Sequence, residues 1–551
     1  MDKSRLKRFA TQLRRELIEE IRGKIAYITS LSDEQMPAFY RNFPQKVQRL
    51  KEETQKIGIE DLSEKVAYMW ANRLIALRYM DIKKINSPLV VSPKENETTP
   101  EIFALAKEGI IDEKLPIDKE KFFDLIDGKI NAEDPENEAY GMLFIAVCNH
   151  YYDTFPFLFE PIDDYTELLL PTDMLSKNSI RAKVVDAISP EDAKDVEIIG
   201  WLYQFYIAEK KDEIFQNFKK NKKAGAAEIP AATQLFTPHW IVRYLVENSL
   251  GRLWLCNHPD SNLKEQMPYY IENDTKTCIQ ISSPEEITFL DPCCGSGHML
   301  TYAFNLLTKI YEEEGYPKSE IPKRILQNNL YGCDIDQRAA SLASFALMMK
   351  AVEYDKRFLQ RGVLPNIVAL QDFGVEELKD IDVLGSLIKV DDIKSFNEGV
   401  FGHSSKEFAL QSHILGSQFH CTVTNPPYMG SKNMNQALKN YLAKHYPDSK
   451  SDLFAAFIER CLDFTQDKGF TAMITMQSWM FLSSFEKLRI KILKKYTIKT
   501  LAHLGNMVMG IAFGTSAFVL QKVKPDKDST AIYFRIDLKD LDENREIKSL
   551  K

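Results

Sequence analysis

The run Asn425-Pro426-Pro427-Tyr428 is the stretch of this sequence whose residue types best suit chemistry on a ligand. It follows the small or β-favouring residues 421–424, which indicate the end of a buried strand. Two consecutive prolines fix φ and remove two N–H donors, so the loop presents acceptors, the Asn425 side-chain oxygen and the Pro426 carbonyl. Such a pair can hold an amino group by both hydrogens while the Tyr428 ring stacks on the plane that carries it. Alone, the tetrapeptide would more often be a simple turn after a strand.

A glycine-containing loop, DPCCGSG at 291–297, follows the predicted strand 287–290. Open α/β sheets bind ligands at the carboxyl ends of their strands, and glycines let the backbone approach a ligand closely. The loop lacks the GxGxxG of dinucleotide enzymes and the GK[ST] of a P-loop, which disfavours pyrophosphate and triphosphate cradles. Its candidate ligand-contacting residues are Asp291, Pro292, Gly295 and Gly297.

Two further strand ends carry acids. Asp334 closes the short strand predicted within residues 329–336 and could accept both hydroxyls of a ribose, whereas the neighbouring candidate Asp336 is expected to cap the next helix. Asp372, with Phe373 beside it, closes the predicted strand 366–373 and could take an amino group of an adenine ring. Each residue alone is more often a turn residue or cap. Their order at four successive strand ends favours a nucleoside-bearing ligand beside an amino-group acceptor.

Alternating strands and helices must position these loops. The predicted strands are 287–290, 329–336, 366–373, 419–424 and 470–476, and the predicted helices are 300–313, 339–352, 452–465 and 485–495. This alternation predicts an α/β fold with a mostly parallel, doubly wound sheet. Strands 517–522 and 531–536 flank a charged turn, which predicts an antiparallel hairpin at the sheet's edge. A further helix is predicted to start at Thr237 with Pro238 at its first helical position.

The sequence before this alternation is predicted to be mostly helical and carries no catalytic constellation. Apolar residues recur at helical spacing in residues 1–30, 47–80, 140–159 and 197–218. The other face of the first helix carries Lys3, Arg5, Lys7, Arg8, Arg14 and Arg15. These charges favour a solvated face over one that contacts phosphates.

The lysine run 219–223 and the small residues and proline after it predict a flexible joint. The predicted domains are a helical N-terminal domain at 1–222, a linker at 223–235, an α/β domain at 236–525, and an edge strand with a charged tail at 526–551.

Composition sets limits on the class of protein. The 551 residues are too many for one core, and the formal net charge of −8 requires any nucleic-acid contact to come from local basic patches. No apolar run approaches the length of a membrane span, and the charged N-terminus is not a secretory signal. The eight cysteines form no CxxC pair, which predicts reduced thiols in a cytoplasm, without a zinc site or a disulfide framework.

Five short stretches of the sequence resemble the motifs of a known family. FTP at 236–238, DPCCGSG, GCDID, the Asp372-Phe373 pair and NPPY resemble, in this order, the S-adenosylmethionine-dependent adenine DNA methyltransferases. The longer runs FATQLRREL, TQLFTPHWIVRYLVENSLG, LDPCCGSGHML and VTNPPYMG are similar to the PglX family of BREX phage-defence systems. The motif resemblance covers about residues 230–525 and implies a Rossmann-like class I methyltransferase sheet. It also implies site-specific N6-methylation of adenine in a restriction-modification-like defence system.

The resemblance assigns roles on the cofactor side. Phe236, Thr237 and Pro238 would embrace the methionine part of S-adenosylmethionine, Asp291, Gly295 and Gly297 its amino-acid end, Asp334 its ribose, and Asp372 and Phe373 its adenine.

On the substrate side, double-stranded DNA with a flipped-out adenine is the implied partner. Asn425 and Pro426 would accept hydrogen bonds from the target amine, and Tyr428 would stack on the base. In-line displacement at the sulfonium methyl needs alignment and acceptors rather than a covalent intermediate. Cytosine ring-carbon methylation would need a cysteine that the NPPY loop lacks, and Cys293 and Cys294 are interpreted as packing residues.

The family's DNA-reading domain is expected after the catalytic half, where this chain has only a charged tail. The sequence therefore resembles an N-terminal half, and a C-terminal target-recognition piece or other BREX proteins are expected partners. Two alternatives stay open: a catalytically incomplete, cofactor-binding scaffold, and a fused type II restriction–modification enzyme. The second depends on Pro525-Asp526 followed by Asp537-Leu538-Lys539 or by Glu546-Ile547-Lys548, a nuclease-like pattern that recurs by chance in charged tails.

Overall fold

The chain folds as two units, Met1–Glu209 and Lys210–Lys551. The computed structural model describes residues 2–32, 34–162, 164–226, 228–273, 275, 277–390, 404–543 and 545–547. In these ranges no helix combines the length and apolar character that a membrane crossing requires. Lys548 and the last residues of the predicted tail lie outside the described residues.

The first unit is built from helices, as the sequence predicts. They are α1 (Lys3–Ser30), α2 (Ala38–Arg41), α3 (Pro44–Ile57), α4 (Ile59–Ile82), α5 (Glu101–Lys107), α6 (Lys119–Ile126), α7 (Pro135–His150), α8 (Ile180–Ala187) and α9 (Glu197–Tyr206). Asp2 caps α1 by accepting from the Ser4 and Arg5 amides, and the predicted apolar stripe of α1 is buried from Leu6 to Ile28. On its basic face, Arg14 pairs with Glu64 at 3.0 Å and Arg15 with Glu209.

Two predicted helices are shorter than expected. The helical pattern at 140–159 ends as a helix at His150, and the pattern at 197–218 is interrupted at Ile207, where α10 (Ala208–Lys219) takes over from α9. Ile207 has φ −91° and ψ 0°, outside regular helix, although the apolar spacing continues across it.

The second unit combines helices and strands. Its further helices are α11 (Ile229–Thr233), α12 (His239–Val246), α13 (Arg252–Asn257), α14 (His298–Glu313), α15 (Ile321–Arg324), α16 (Gln337–Tyr354), α17 (Ile381–Leu384), α18 (Ser404–Gly416), α19 (Gln436–His445), α20 (Leu453–Phe464) and α21 (Glu486–Lys495). Its strands are β1 (Phe289–Asp291), β2 (Leu330–Asp334), β3 (Asn366–Ala369), β4 (Phe419–Thr424), β5 (Thr465–Met476), β6 (Thr497–Leu504), β7 (Thr515–Gln521) and β8 (Ile532–Ile536).

These strands form one sheet in the order β3-β2-β1-β4-β5-β7-β6-β8. The strand β7 runs against its neighbours β5 and β6, while the other neighbouring pairs are parallel. The mostly parallel α/β sheet of the Rossmann-like class I methyltransferase type is therefore confirmed. Every residue of β7 is buried, in keeping with a strand that has partners on both sides.

The predicted hairpin between 517–522 and 531–536 is wrong. The strand β6 lies between β7 and β8, and β7 pairs with β6 from Thr497↔Gln521 to Leu504↔Thr515. The prediction missed β6, a buried run that follows α21 directly, and joined two strands only because they are close in sequence. The last strand, β8, is parallel to β6 at the sheet's edge.

The prediction that all eight cysteines are thiols is wrong for one pair, because Cys256 and Cys278 form a disulfide with a Cα–Cα distance of 6.4 Å. The Asn257 side chain brings the two segments together, since it donates to the Ile279 carbonyl and accepts from the Ile281 amide. A separation of 22 residues gives no sign of this contact in the sequence.

Candidate functional site

The candidate site lies where the sheet changes its winding direction. The sheet order proceeds from β1 to β2 and β3 on one side and from β1 to β4 and β5 on the other. Ligands of open α/β sheets bind at such a switch point, outside the carboxyl ends of the strands. Because β1 and β4 are parallel neighbours, with Phe289 opposite Cys421, the loops that follow them leave from the same edge. These loops are DPCCGSG and NPPY.

The glycine loop turns tightly from β1 into α14. Gly295 and Gly297 have φ values of +52° and +90°, where a side chain would be strained. At Gly297 a Cβ atom would also lie 3.1 Å from the Ala343 Cα, so close packing and backbone conformation both require glycine there. The Pro292 carbonyl accepts from the Ser386 hydroxyl at 2.7 Å, which fixes the start of the loop.

Asp334 ends β2 and reaches back to this loop. Its Oδ2 accepts from the Gly295 amide at 2.9 Å and its Oδ1 from the Asp336 amide at 2.9 Å. Burial raises the pKa of Asp334 to about 6, and the Asp336 charge adds to the rise. Asp336 itself caps α16 by accepting from the Arg338 amide, as predicted, while the ribose role of Asp334 stays a prediction.

Asp291, the last residue of β1, is 2 % exposed, and its Oδ1 accepts from the Cys293 amide at 3.2 Å. Its pKa is raised to about 7, mainly by burial and in smaller part by the negative charge of Asp334. Asp334 therefore lies close enough for its charge to disfavour ionisation of Asp291. A ligand that brings donors or positive charge to this edge would relieve that repulsion.

The structure does not bring Asp372 to a strand end. The strand β3 ends at Ala369, opposite Asp334, and Asp372 lies three residues later in an exposed loop, where its Oδ1 accepts from the Gly374 amide. The prediction of a strand through residue 373 is wrong because Gln371 pairs with the Gln411 side chain instead of with a strand. The Phe373 ring packs edge-on against Phe408 at 5.2 Å.

Asn425 directly follows β4, and its side-chain amide is oriented by two acceptors. Its Nδ2 donates to the Leu235 carbonyl at 3.2 Å and to the Thr237 hydroxyl at 3.0 Å. A carbonyl can only accept, so this contact assigns the nitrogen to one side and Oδ1 to the other. The Oδ1 atom is buried and has no hydrogen-bond partner in the described structure.

The remaining residues of NPPY differ in their contacts. In the part of the chain that the structure describes, no backbone donor is bonded to the Pro426 carbonyl. The Tyr428 hydroxyl donates to the Ile474 carbonyl at 3.0 Å, which fixes the half-buried ring, and burial raises the pKa of this phenol. Pro427 is half-buried between them. The loop thus leaves the Asn425 Oδ1 without a hydrogen-bond partner and holds the Tyr428 ring in place, while the acceptor and stacking roles of NPPY stay predictions.

The FTP segment lies beside this loop and precedes the helix α12, which begins one residue later than predicted. The helix α12 begins at His239 with Pro238 as its N-cap, because the ψ of 139° at Pro238 is extended; the predicted start at Thr237 is wrong. Thr237 is buried against Asn425, and the Phe236 ring lies 3.8 Å from the His298 ring at the start of α14. Phe236 therefore contacts the first turn after the glycine loop.

Three contributors to the site escaped the sequence analysis: the contacts of Leu235 and Thr237 with Asn425, the ring of Phe513, and Asp452. The Phe513 ring is 38 % exposed and lies 6.4 Å from the Tyr428 ring. Asp452 accepts from the Met429 amide at 3.0 Å and so holds the exit of the loop. Thr237 and Asn425 are 188 residues apart in the sequence, which gives no sign of a contact between their side chains, and Phe513 follows no local pattern.

Cys293 and Cys294 behave as packing residues. Cys294 is buried, and the Cys293 Sγ lies 4.0 Å from the Ser386 hydroxyl. Burial raises the pKa of both thiols well above the ordinary value, which disfavours a thiolate nucleophile in this loop.

Two protein families match this unit. The N-6 DNA Methylase family matches residues 268–362, and the Eco57I restriction-modification methylase family matches residues 328–508. The first matched range contains the DPCCGSG loop and the second contains the NPPY loop, so both loops at the switch point lie in stretches that resemble N6 DNA methylases.

Curated relatives make the assignment narrower. The adenine-specific methyltransferase BrxX of Escherichia coli O9:H4 (strain HS) is 38 % identical over 91 % of this chain and 47 % of the relative. The adenine-specific methyltransferase PglX of Lacticaseibacillus casei (strain Zhang) is 36 % identical over 95 % of this chain and 51 % of the relative. Over nearly its whole length the chain is therefore similar to the BrxX/PglX adenine-specific methyltransferases. It spans about half the length of these relatives.

A solved structure, the DrdV–DNA complex, resembles the chain at a TM-score of 0.48 and 13 % identity, over 97 % of this chain and 43 % of that one. A likeness of this size adds nothing to the fold assignment that the sheet order gives.

Proposed function

We propose that the chain carries the cofactor and amine sites of a site-specific, S-adenosylmethionine-dependent DNA adenine N6-methyltransferase of BREX-type phage defence. The observation that carries the proposal is the buried, unpartnered Oδ1 of Asn425, oriented by the Leu235 carbonyl and the Thr237 hydroxyl. An unsatisfied buried acceptor costs roughly 1–3 kcal/mol, so a donor supplied by a ligand is its natural complement.

An exocyclic amine fits this acceptor better than other donors do. The adenine N6 group carries two hydrogens, one for the Asn425 Oδ1 and one for the Pro426 carbonyl, and both oxygens belong to a loop stiffened by two prolines. As the amine nitrogen becomes more positive during the reaction, fixed acceptors at its hydrogens stabilise it without having to reorient.

An extruded base also needs walls. The Phe513 ring lies 6.4 Å from the Tyr428 ring, and Tyr428 is fixed through its hydroxyl. Stacking is worth about 1–3 kcal/mol per base, which offsets the few kcal/mol that extrusion from the duplex costs. Phe513 is therefore proposed as a second contact to the base beside Tyr428.

The cofactor fits the glycine-loop edge. S-adenosylmethionine carries an amino group, a sulfonium and ribose hydroxyls, which match the two buried carboxylates Asp291 and Asp334. When bound, it supplies an electrophilic methyl group. We assign its amino-acid end to Asp291, Pro292, Gly295 and Gly297, its ribose to Asp334, and its adenine to Asp372 and Phe373. Phe236, Thr237 and Pro238 line the approach from α12.

The partners follow from the same assignment. Double-stranded DNA is the proposed substrate, and the part of the relatives that this chain does not span is the proposed source of target recognition, together with other BREX proteins. The activity is placed in the cytoplasm, where phage DNA enters. A fused nuclease is not proposed, because the two relatives that are similar over nearly the whole chain are named as adenine-specific methyltransferases.

Nucleoside analysis tests the proposal. The chain is incubated with tritiated S-adenosylmethionine and mixed-sequence duplex DNA, with and without the remaining part of a BrxX/PglX relative, and the DNA is digested to nucleosides. We expect the label in N6-methyladenine. Label in a cytosine product, or no label under either condition while the cofactor binds, would contradict the proposed activity; the second result would favour the scaffold alternative.

A further inference from the structure

We propose that seven lysines beside the amine site form a strip that binds the backbone phosphates of the DNA duplex around the target base. This lysine strip consists of Lys219, Lys220, Lys222, Lys223, Lys432, Lys439 and Lys444. The proposal rests on the proposed function in one respect, namely that duplex DNA is the partner of this edge of the sheet.

The two segments that supply the strip contain no acidic residue. Residues 214–227 and 429–447 lack Asp and Glu, although 79 of the 551 residues in the chain are acidic and the net charge is −8. The first segment surrounds the lysine run after α10, and the second runs from the exit of the NPPY loop through α19. A negative chain that keeps acids out of two segments creates a local positive potential there.

Hydrogen bonds place these segments side by side. The Ala224 amide donates to the Asn433 carbonyl at 3.2 Å, the Asn435 side chain donates to the Ala224 carbonyl at 3.5 Å, and the Lys223 ammonium contacts the Lys432 carbonyl. Ala224 is buried at this junction. The lysine run is therefore attached to the loop that leaves the amine site, although 209 residues separate Lys223 from Lys432.

The strip also lies on the correct edge of the sheet. Lys432 follows Tyr428 by four residues, so at about 3.6 Å per residue their Cα atoms are at most about 14 Å apart. The loop leaves the carboxyl end of β4, the same edge as the unpartnered Asn425 oxygen. A duplex that delivers a base to Asn425 must bring its neighbouring phosphates to this region, because it carries one charge per roughly 1.7 Å of its axis.

The ammonium groups are available for such contacts. Among the described residues, none of the seven lysines pairs with a carboxylate, and six of them are exposed, with Lys439 half-buried. The basic residues of α1 differ, since Arg5, Arg14 and Arg15 are held by Asp192, Glu64 and Glu209. Seven lysines that have no carboxylate partner among the described residues match a polyanion that releases counterions on binding.

Salt-dependent binding tests the strip without any need for catalysis. Anisotropy of a labelled duplex is titrated with the full chain and with K432Q/K439Q/K444Q and K219Q/K220Q/K222Q at several salt concentrations. Each lost phosphate contact should reduce the slope of log K against log salt by roughly 0.9, so each triple variant should lower it by about 2 to 3. K468Q/K524Q/K527Q is the matched control, because these lysines lie near the pair Phe470–Gln521 at the opposite edge of the sheet.

The control should keep the parent slope, and all variants should keep the parent affinity for S-adenosylmethionine, which also shows that they fold. Equal slopes for the parent and both strip variants would overturn the proposal, as would a parent chain that binds no duplex at low salt. A lowered slope without any methyl transfer would support the strip while the proposed methyltransferase activity fails. Methyl transfer with unchanged slopes would support the proposed methyltransferase activity and contradict the lysine strip.

Discussion

The amide of Asn425 is aligned by a segment that lies far from it in sequence. Its nitrogen is held by Leu235 and Thr237, and Thr237 precedes it by 188 residues. Free rotation of this amide would present its nitrogen and oxygen alternately to the target. Two acceptors on the nitrogen leave the oxygen as the group that meets an amine. We therefore propose that Thr237 acts on the substrate through Asn425, as an alternative to the cofactor role that the family resemblance implies.

Replacing Thr237 by the isosteric valine separates these roles. T237V removes one of the two acceptors, and we expect kcat for methyl transfer to fall about 10-fold, the size of one hydrogen bond, while the Kd for S-adenosylmethionine stays at the parent value. T237S keeps the hydroxyl and should restore the rate. A weaker cofactor affinity in T237V with an unchanged kcat would instead support the contact with the methionine part.

For single residues, the sequence indicates the chemistry of a side chain more readily than the contacts that orient it. The acceptors of NPPY and the capping role of Asp336 follow from residue type and position, and both agree with the structure. The contacts of Thr237 and the place of Phe513 depend on segments that meet only in the folded chain. The assignment of Asp372 used a strand that proved shorter than its apolar run.

At the scale of elements, β1 and β4 place the two loops next to each other. The strand β1 has only three residues, all buried, and it ends in Asp291, a carboxylate without access to water. In such a position the neutral form is favoured, and the pKa of Asp291 is raised from 3.8 to about 7. The end of this strand therefore makes the stability of the fold depend on pH.

The sign of this dependence follows from the direction of the shift. A carboxyl group whose pKa is higher in the folded than in the unfolded state binds its proton more tightly when folded, so the free energy of unfolding should rise as pH falls from about 7 towards 4. At 1.36 kcal/mol per pKa unit, the ceiling is about 4 kcal/mol. Urea unfolding at pH 8 and pH 5.5 measures the rise, and D291N should reduce it. An identical pH dependence in D291N would contradict the burial of this charge.

The exit of the NPPY loop is held by the residue that caps α20. Asp452 accepts from the Met429 amide at 3.0 Å and from the Phe454 amide at 3.4 Å, and burial raises its pKa to about 6. We expect D452A to expose the Met429 amide to hydrogen exchange 10- to 100-fold faster, because a buried N–H loses its acceptor. D452N, whose amide oxygen can still accept, should retain most of the protection. Equal exchange in the parent and D452A would remove this role.

The bounds of most strands and helices were predicted well from the local sequence pattern. The pairing partners of the last strands were not. The strand β4 has the predicted bounds 419–424, and α14, α16, α20 and α21 lie within a few residues of their predicted ranges. The place of β6 between β7 and β8 is a choice of pairing partner, which periodicity along one strand does not encode. The Cys256–Cys278 bond was missed for the same reason.

At the scale of the whole molecule, the proposed cofactor edge, amine acceptor and basic strip all lie in one unit, and the chain spans about half the length of its curated relatives. We propose that cofactor binding and presentation of the acceptors need only this unit. Reading of a DNA sequence needs base contacts, which we propose come from the part of the relatives that this chain does not span. Cofactor binding should therefore be a property of this chain, and target choice a property of the longer assembly.

The central claim, that the Asn425 oxygen accepts the target amine beside the cofactor, is tested most directly by N425A. Methyl transfer to duplex DNA and equilibrium binding of S-adenosylmethionine are measured for N425A and the parent under the conditions in which the parent is active. We expect transfer to fall at least about 100-fold, as for other transition-state acceptors, with the cofactor Kd unchanged. Transfer at the parent rate would contradict the claim.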